Sequence, residues 1–423
     1  MPNRTSRGLS RRRLLQGAAG AGLAALTTRA LAPQAFATGP YPSDGPELAE
    51  VSIGFVAVQS CAPLIVAHER KLFAKHGLAS KLVKEASWAA ARDKLASGEN
   101  HATHMKMAQP LGGTMGVLGA MPTPMIAPFT LARGGSAFLI AKPLAGRLTT
   151  DPQTWKAVGE EFAQRKEAFT IALPLFQGWH GMMFRHFLSN AGVDADRMFK
   201  LITLPPAQMI QNMKVGTMQA CAMVEPWGVR GVTTKIANVV MYGHELWPNH
   251  PTKSLGLMAE FAERHPLTVR AILRAVHEAA VWCDDLANRA EMARMLAVPS
   301  YLNVPEAQLL ATLTGKLDWG DGRTADEPHH AITYSLGTYP QRREFTWLMA
   351  QFSRWGMVEG TVDYERIATN VMRCDLYDDA LRDLGVPAGV QDDTPIALWD
   401  GSRFDHTRAA EHVLEYAVHN RKL

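Results

Sequence analysis

Three places in the sequence join the end of a short apolar strand to the start of a helix: Ser60-Cys61, Ser87-Trp88 and Gly178-Trp179-His180. Amide hydrogens at a helix N-terminus point outward without partners. At the carboxyl edge of an open α/β sheet such junctions favour a small anion. Every βα unit makes one, so the neighbouring side chains must narrow the chemistry. His180 falls in the first helical turn, where the dipole disfavours an extra positive charge. Its neutral ring can donate one hydrogen bond to an anion or bond to backbone instead. Trp88 reads either as an apolar wall or as a core aromatic. Lys253 borders the apolar stretch Ser254-Leu255-Gly256-Leu257, read as a strand, where a lysine ordinarily snorkels to solvent. Cys61 offers different chemistry, because a helix N-terminus lowers a thiol pKa; the plainer alternative is a small packing residue. Fifteen histidines raise the question of metal. His101 and His104 are spaced i, i+3 and His329-His330 are adjacent, but neither pair has an obvious third ligand, so no metal is expected. GxGxxG and Walker-type loops are absent, which removes dinucleotide binding and nucleotide hydrolysis.

These residues need a scaffold. Val51 to Val58 alternates as a strand, and Ser60 with Pro63 starts a helix reaching Lys71. Leu82-Val83 begins another strand, and Ser87 caps a helix with Trp88, Ala91, Arg92 and Leu95 on one side. The same alternation returns after Arg133. Phe169–Leu173, Leu201–Leu204 and Ala220–Val224 read as strands, with helices from Gly178 to Leu188 and from Pro206 to Val215. Short connections between alternating elements predict an α/β protein with largely parallel sheets. Beyond His265 the pattern is mainly helical: Pro266–Cys283, Asn288–Leu296, Pro305–Leu313 and Phe345–Trp355, with a loose end past Asp392.

Five short motifs occur in order: Cys61-Ala62-Pro63-Leu64, Glu85-Ala86-Ser87-Trp88 with Arg92-Asp93, Pro205-Pro206-Ala207-Gln208-Met209, Glu225-Pro226-Trp227, and His250-Pro251-x-Lys253. Together they resemble the nitrate- and bicarbonate-binding proteins of ABC importers, over roughly residues 50 to 385. The resemblance implies a two-lobed periplasmic binding protein fold of type II-like topology. Lobe 1 is expected from 50–132 with 240–310 and lobe 2 from 133–239. A helical C-terminal extension, 311–423, is expected to pack on lobe 1. It also implies ligand contacts from Trp88, His180 and Lys253. Ser136 stands where the nitrate pocket has Gln, and Val224 where a Gly precedes Glu-Pro-Trp; the first shortens reach and the second adds bulk. Relatives that bind bicarbonate use calcium and an acidic residue at the position of Lys253, so the lysine implies an anion held without metal or cofactor. Trp227 is expected to close a lobe or the hinge. The implied function is capture of nitrate or nitrite for an inner-membrane permease and ATPase, without catalysis. Two alternatives stand: a cytoplasmic nitrate or nitrite sensor of similar fold, and a desulfinase-like C–S lyase using Cys61.

Charge and cysteine usage complete the reading. Residues 1–37 hold six arginines and no acid; without them the chain of 423 residues has 38 basic against 40 acidic residues, so its basicity does not indicate nucleic acid. Ser10-Arg11-Arg12-Arg13-Leu14-Leu15, the apolar run Gly17 to Leu26 and Ala35-Phe36-Ala37 predict a twin-arginine signal peptide cleaved before Thr38, and hence a periplasmic protein. The run is too short to span a membrane, and no second run of that length follows. Cys61, Cys221, Cys283 and Cys374 lack CxxC spacing and are expected mostly as free, buried thiols.

Overall fold

The computed structural model describes residues 45–420; the expected signal peptide lies outside them. Ten strands build two main sheets. The first five are β1 (Glu50–Val56), β2 (Ala79–Glu85), β3 (Ala102–Lys106), β4 (Met125–Arg133) and β5 (Ser136–Ala141). The others are β6 (Thr170–Leu173), β7 (Lys200–Thr203), β8 (Ala220–Val224), β9 (Ala237–Tyr242) and β10 (Pro251–Met258). One sheet has the order β2-β1-β3-β10-β4 and the other β7-β6-β8-β5-β9. The two share one plan: three parallel strands, then one antiparallel strand supplied by the chain returning from the other lobe, then an antiparallel edge. The sheets are therefore mixed, not largely parallel as expected. A strand that arrives by crossover from the other lobe is not bound by the βαβ rule that keeps consecutive strands parallel.

Helices cover both faces, which is why every residue of β3 and β4 is buried. The edge strand β2 alternates instead and exposes Lys81 and Lys84, which guard its open side against pairing with another chain. Ser87 caps the helix Trp88–Ala96 by accepting from Ala90 N at 3.1 Å, as its sequence required.

The chain passes between lobes twice, at Gly134-Gly135 and across residues 243–250. Both glycines have positive φ, +73° and +68°, a turn that side chains seldom tolerate. The second crossover starts after Tyr242, since residues 240–242 belong to β9 of lobe 2 and not to lobe 1. At the first crossover Arg133 is buried and makes a two-pronged ion pair with Glu344, at 2.6 and 3.0 Å. The same guanidinium donates to the carbonyls of Gly337 and of Asn249, the latter in the second crossover.

The C-terminal extension reaches both lobes, a wider footprint than the expected packing on lobe 1. Tyr377 lies against Phe129 of lobe 1. From the helix Arg342–Arg354, Trp347 meets Trp247 edge-on, and Arg354 donates to His186 and Ser189 of lobe 2. The tail past Asp392 adds a small hairpin and the helix Ala409–Glu415. Cys61, Cys221 and Cys283 are free and buried, and Cys374 is free and half-buried. No helix among the described residues is long and apolar enough to cross a membrane.

Candidate functional site

β3 and β10 run antiparallel, and Lys106 is the direct cross-strand partner of Lys253. Opposed residues of an antiparallel pair share one face of the sheet. Both ammonium groups accordingly meet over one ring, with Lys106 Nζ 4.9 Å and Lys253 Nζ 5.4 Å from the centre of Trp88. These distances are within cation–π reach. Lys106 and Lys253 are both buried, at 2% and 0% exposure. Burial brings the Lys106 ammonium down to about 7; burial and then the Lys106 charge hold Lys253 well below its ordinary value. Among the described residues Lys253 Nζ has no hydrogen-bond partner, and Lys106 Nζ has the Nδ1 of His180 at 3.3 Å. Among the described residues no carboxylate balances either charge.

Trp88 opens its helix, and among the described residues its buried indole N–H has no hydrogen-bond partner. Gln109 fixes the local backbone: its amide nitrogen donates to Trp88 O at 2.7 Å, and its oxygen accepts from Lys106 N at 3.0 Å. His104 sits edge-on to Trp88, 5.1 Å between ring centres, with Nε2 3.1 Å from Ser60 Oγ and the Val56 backbone as a further hydrogen-bond partner of the ring. His104 and Lys253 Nζ thus both lie against the Trp88 ring, and among the described residues Trp88 Nε1 and Lys253 Nζ are buried without a hydrogen-bond partner. Native interiors rarely leave such groups unmatched unless a ligand or water serves them.

The opposite wall comes from lobe 2. Lys106 passes against the start of the helix Trp179–Ser189, and a Cβ placed on Gly178 would lie 3.1 Å from Lys106 Cδ. The helix start adds its own positive potential there. His180 is buried, and burial followed by Lys106 and Lys253 holds its pKa well below normal. Its neutral ring is fully assigned. Nε2 faces the carbonyl of Met223 at 3.2 Å and must carry the proton, leaving Nδ1 to accept from Lys106. His180 therefore aims the lysine, whereas the sequence left open a bond to an anion.

Ser136 and Val224 are register partners on β5 and β8. Ser136 is already engaged. His250 donates from Nδ1 to Trp247 O at 3.0 Å, so its Nε2 accepts the Ser136 hydroxyl at 2.9 Å. His250 stacks on Trp179 at 4.1 Å, one residue from His180. Val224 is buried ahead of the cis Glu225–Pro226 bond. Trp227 links the lobes, donating from Nε1 to Ala57 O at 2.9 Å.

Sequence reasoning missed Lys106. It ends a strand, Ala102-Thr103-His104-Met105-Lys106, with one β-branched residue, and nothing local marks it as buried. Cys61 is the free, buried thiol that was expected, and the reactive alternative loses its basis. The residue lies wholly inside the core, and burial pushes its thiol up to about 12, overriding the helix start and the nearby lysines. A thiol kept protonated is a poor nucleophile.

A family model described as NMT1-like matches residues 44–297, more than half of the chain. The nitrate/nitrite binding protein NrtA of Synechococcus elongatus is 31% identical over 429 residues, covering 94% of this chain and 95% of its own. The bicarbonate transport ATP-binding protein CmpC of the same organism is 30% identical over 381 residues, 89% of this chain; the chain spans 56% of that longer protein. Among solved structures, the periplasmic nitrate-binding protein NrtA from Synechocystis PCC 6803 superposes with a TM-score of 0.83 at 28% identity, over 89% of this chain and 100% of that one.

Proposed function

The chain belongs to the NMT1-like family, and on that premise we propose that it is the solute-binding component of an ABC importer, holding nitrate or nitrite between its lobes. One observation carries the anion: two buried lysines on adjacent strands, converging on one indole ring with no acidic partner among the described residues. Two ammonium groups so placed cost several kcal/mol each unless a negative charge joins them. A small planar anion there exchanges its hydration for Lys106, Lys253 and the indole N–H, with the Trp88 ring as a flat apolar wall. His180 holds Lys106 in place, while Ser136 and Val224 shape the lobe 2 rim. No bond is made or broken, so the function needs no nucleophile or general base.

The leader, with Arg11 and Arg12 ahead of Gly17–Leu26, supports export by the twin-arginine route and work in the periplasm. An inner-membrane permease and its ATPase are the partners this role requires. Similarity to a bicarbonate transport ATP-binding protein supports testing bicarbonate as a second ligand. Lys253 argues against a calcium-assisted site, since two buried ammonium groups repel a divalent cation. Titration calorimetry with nitrate, nitrite, bicarbonate with and without calcium, cyanate and an alkanesulfonate tests the proposal. One-site saturation by nitrate or nitrite, lost on replacing both lysines by Met, is expected. Tight binding of a neutral solute, with no response to any anion, refutes it.

A further inference from the structure

We propose that His244, Glu327 and His330 form a second, independent site for a divalent cation of the zinc type. The sequence presents His329-His330 without a third ligand; the fold brings two. Glu327 Oε2 lies 3.5 Å from His330 Nε2 and 3.9 Å from His244 Nε2. The ligand atoms of all three residues fall within 4.8 Å of one another. Bonds of about 2.0–2.2 Å in a tetrahedral zinc site place ligand atoms roughly 3.3 Å apart. Small side-chain rotations therefore close the set on an ion.

The supporting structure is partly in place before any ion arrives. The His244 and His330 rings stack with centres 3.9 Å apart, so both present ring edges to the same carboxylate. Tyr242 also stacks with His244, ring centres 5.9 Å apart, and its hydroxyl donates to Asp318 O in the hairpin that leads to Glu327. Glu327 N donates to Gly315 O and His330 N to Glu327 O, fixing the turn that carries both ligands. Side-chain exposures of 14%, 35% and 28% leave an entry path and room for water as a fourth ligand. His329 stands 4.1 Å from His330, ring to ring, as another candidate for that position. Two imidazoles and one carboxylate suit zinc, nickel or cobalt over calcium or magnesium, which prefer all-oxygen shells.

The position gives such an ion a consequence. His244 belongs to the second interlobe crossover. His330 is three residues from Thr333, which exchanges backbone bonds with Arg133 at the first crossover. An ion here staples the two crossovers together and raises the thermal midpoint. None of its ligands belongs to the lysine cluster.

The test uses tag-free, chelator-stripped protein titrated with zinc by calorimetry and with cobalt by visible absorbance. One ion per chain is expected, with the intense visible bands of tetrahedral cobalt. His244→Ala and Glu327→Gln should each weaken zinc binding at least tenfold, and His244→Ala with His330→Ala should abolish the bands. Nitrate titrations on the metal-free variants should match wild type, which reports that they fold and separates this site from the cleft. Zinc uptake by the double variant equal to wild type, or no uptake by wild type, overturns the proposal.

Discussion

Replacing Lys253 by Met removes a buried charge while keeping an unbranched chain of similar length, and the structure fixes the sign of two separate effects. With an anion bound, the ammonium and the ligand attract each other in an enclosed space. A pair of unit charges about 4 Å apart at an effective dielectric near 20 is worth about 4 kcal/mol. Part of this is offset by the cost of keeping the ammonium out of water, which leaves about 3 kcal/mol, or roughly a hundredfold in affinity. Without an anion the same lysine faces only burial and the like charge of Lys106, with no hydrogen-bond partner. Its loss then relieves the fold, by about 1–4 kcal/mol if it follows other buried charges exchanged for apolar groups. Lys253→Met should therefore be more stable than wild type in anion-free buffer and bind nitrate about a hundredfold more weakly. Denaturant melts with and without nitrate, beside titration calorimetry, give both numbers. Unchanged nitrate affinity would refute the anion site. A variant less stable without anion would refute the claim that Lys253 is uncompensated, and would make it a structural residue instead.

Anion affinity should fall as pH rises above 7. The folded pKa of Lys106, about 7, is below the ~10.4 of an unfolded chain. Between these values the unfolded state holds the extra proton, so anion-free stability should climb with pH over that window, while binding must take a proton up. Calorimetry in two buffers of different ionisation enthalpy measures the uptake; identical heats would count against it. Glu344→Gln should cost about 3–5 kcal/mol by leaving Arg133 buried without its counter-charge, and the double change Arg133→Met with Glu344→Leu should recover much of that in a urea melt. Cys61→Ser should keep nitrate binding, and wild type should release no sulfite from aromatic sulfinates; Cys61-dependent release would establish a lyase. Intact-mass analysis of the periplasmic fraction should find a chain beginning near Thr38, and replacing Arg11 and Arg12 by Lys should trap precursor in the cytoplasm. Processing that is indifferent to those arginines would exclude the twin-arginine route.

The sequence alone determined what depends on neighbours along the chain. Ser87 before Trp88, Gly178 before Trp179 and the β-branched run that starts at Val51 are local patterns, and caps and strand propensity need no distant partner to act. Motifs in order along the chain implied ligand contacts from Trp88, His180 and Lys253; the fold sets Lys253 and Lys106 against Trp88, and Lys106 against His180. Only tertiary structure decided what depends on pairing across long separations. Lys106 became a partner of Lys253 because β10 returns from the other lobe and lies beside β3, nearly 150 residues away in the chain. That insertion made one sheet mixed, and β5, arriving from the opposite lobe, did the same to the other. The protonation of His180 was decided by Met223, and the engagement of Ser136 by His250, neither near in sequence. Cys61 went the same way: a helix start is readable locally, but the core that keeps its thiol protonated is assembled from the whole chain. Burial and counter-charge are properties of the assembled interior, and they set the ionisation of every group in this site.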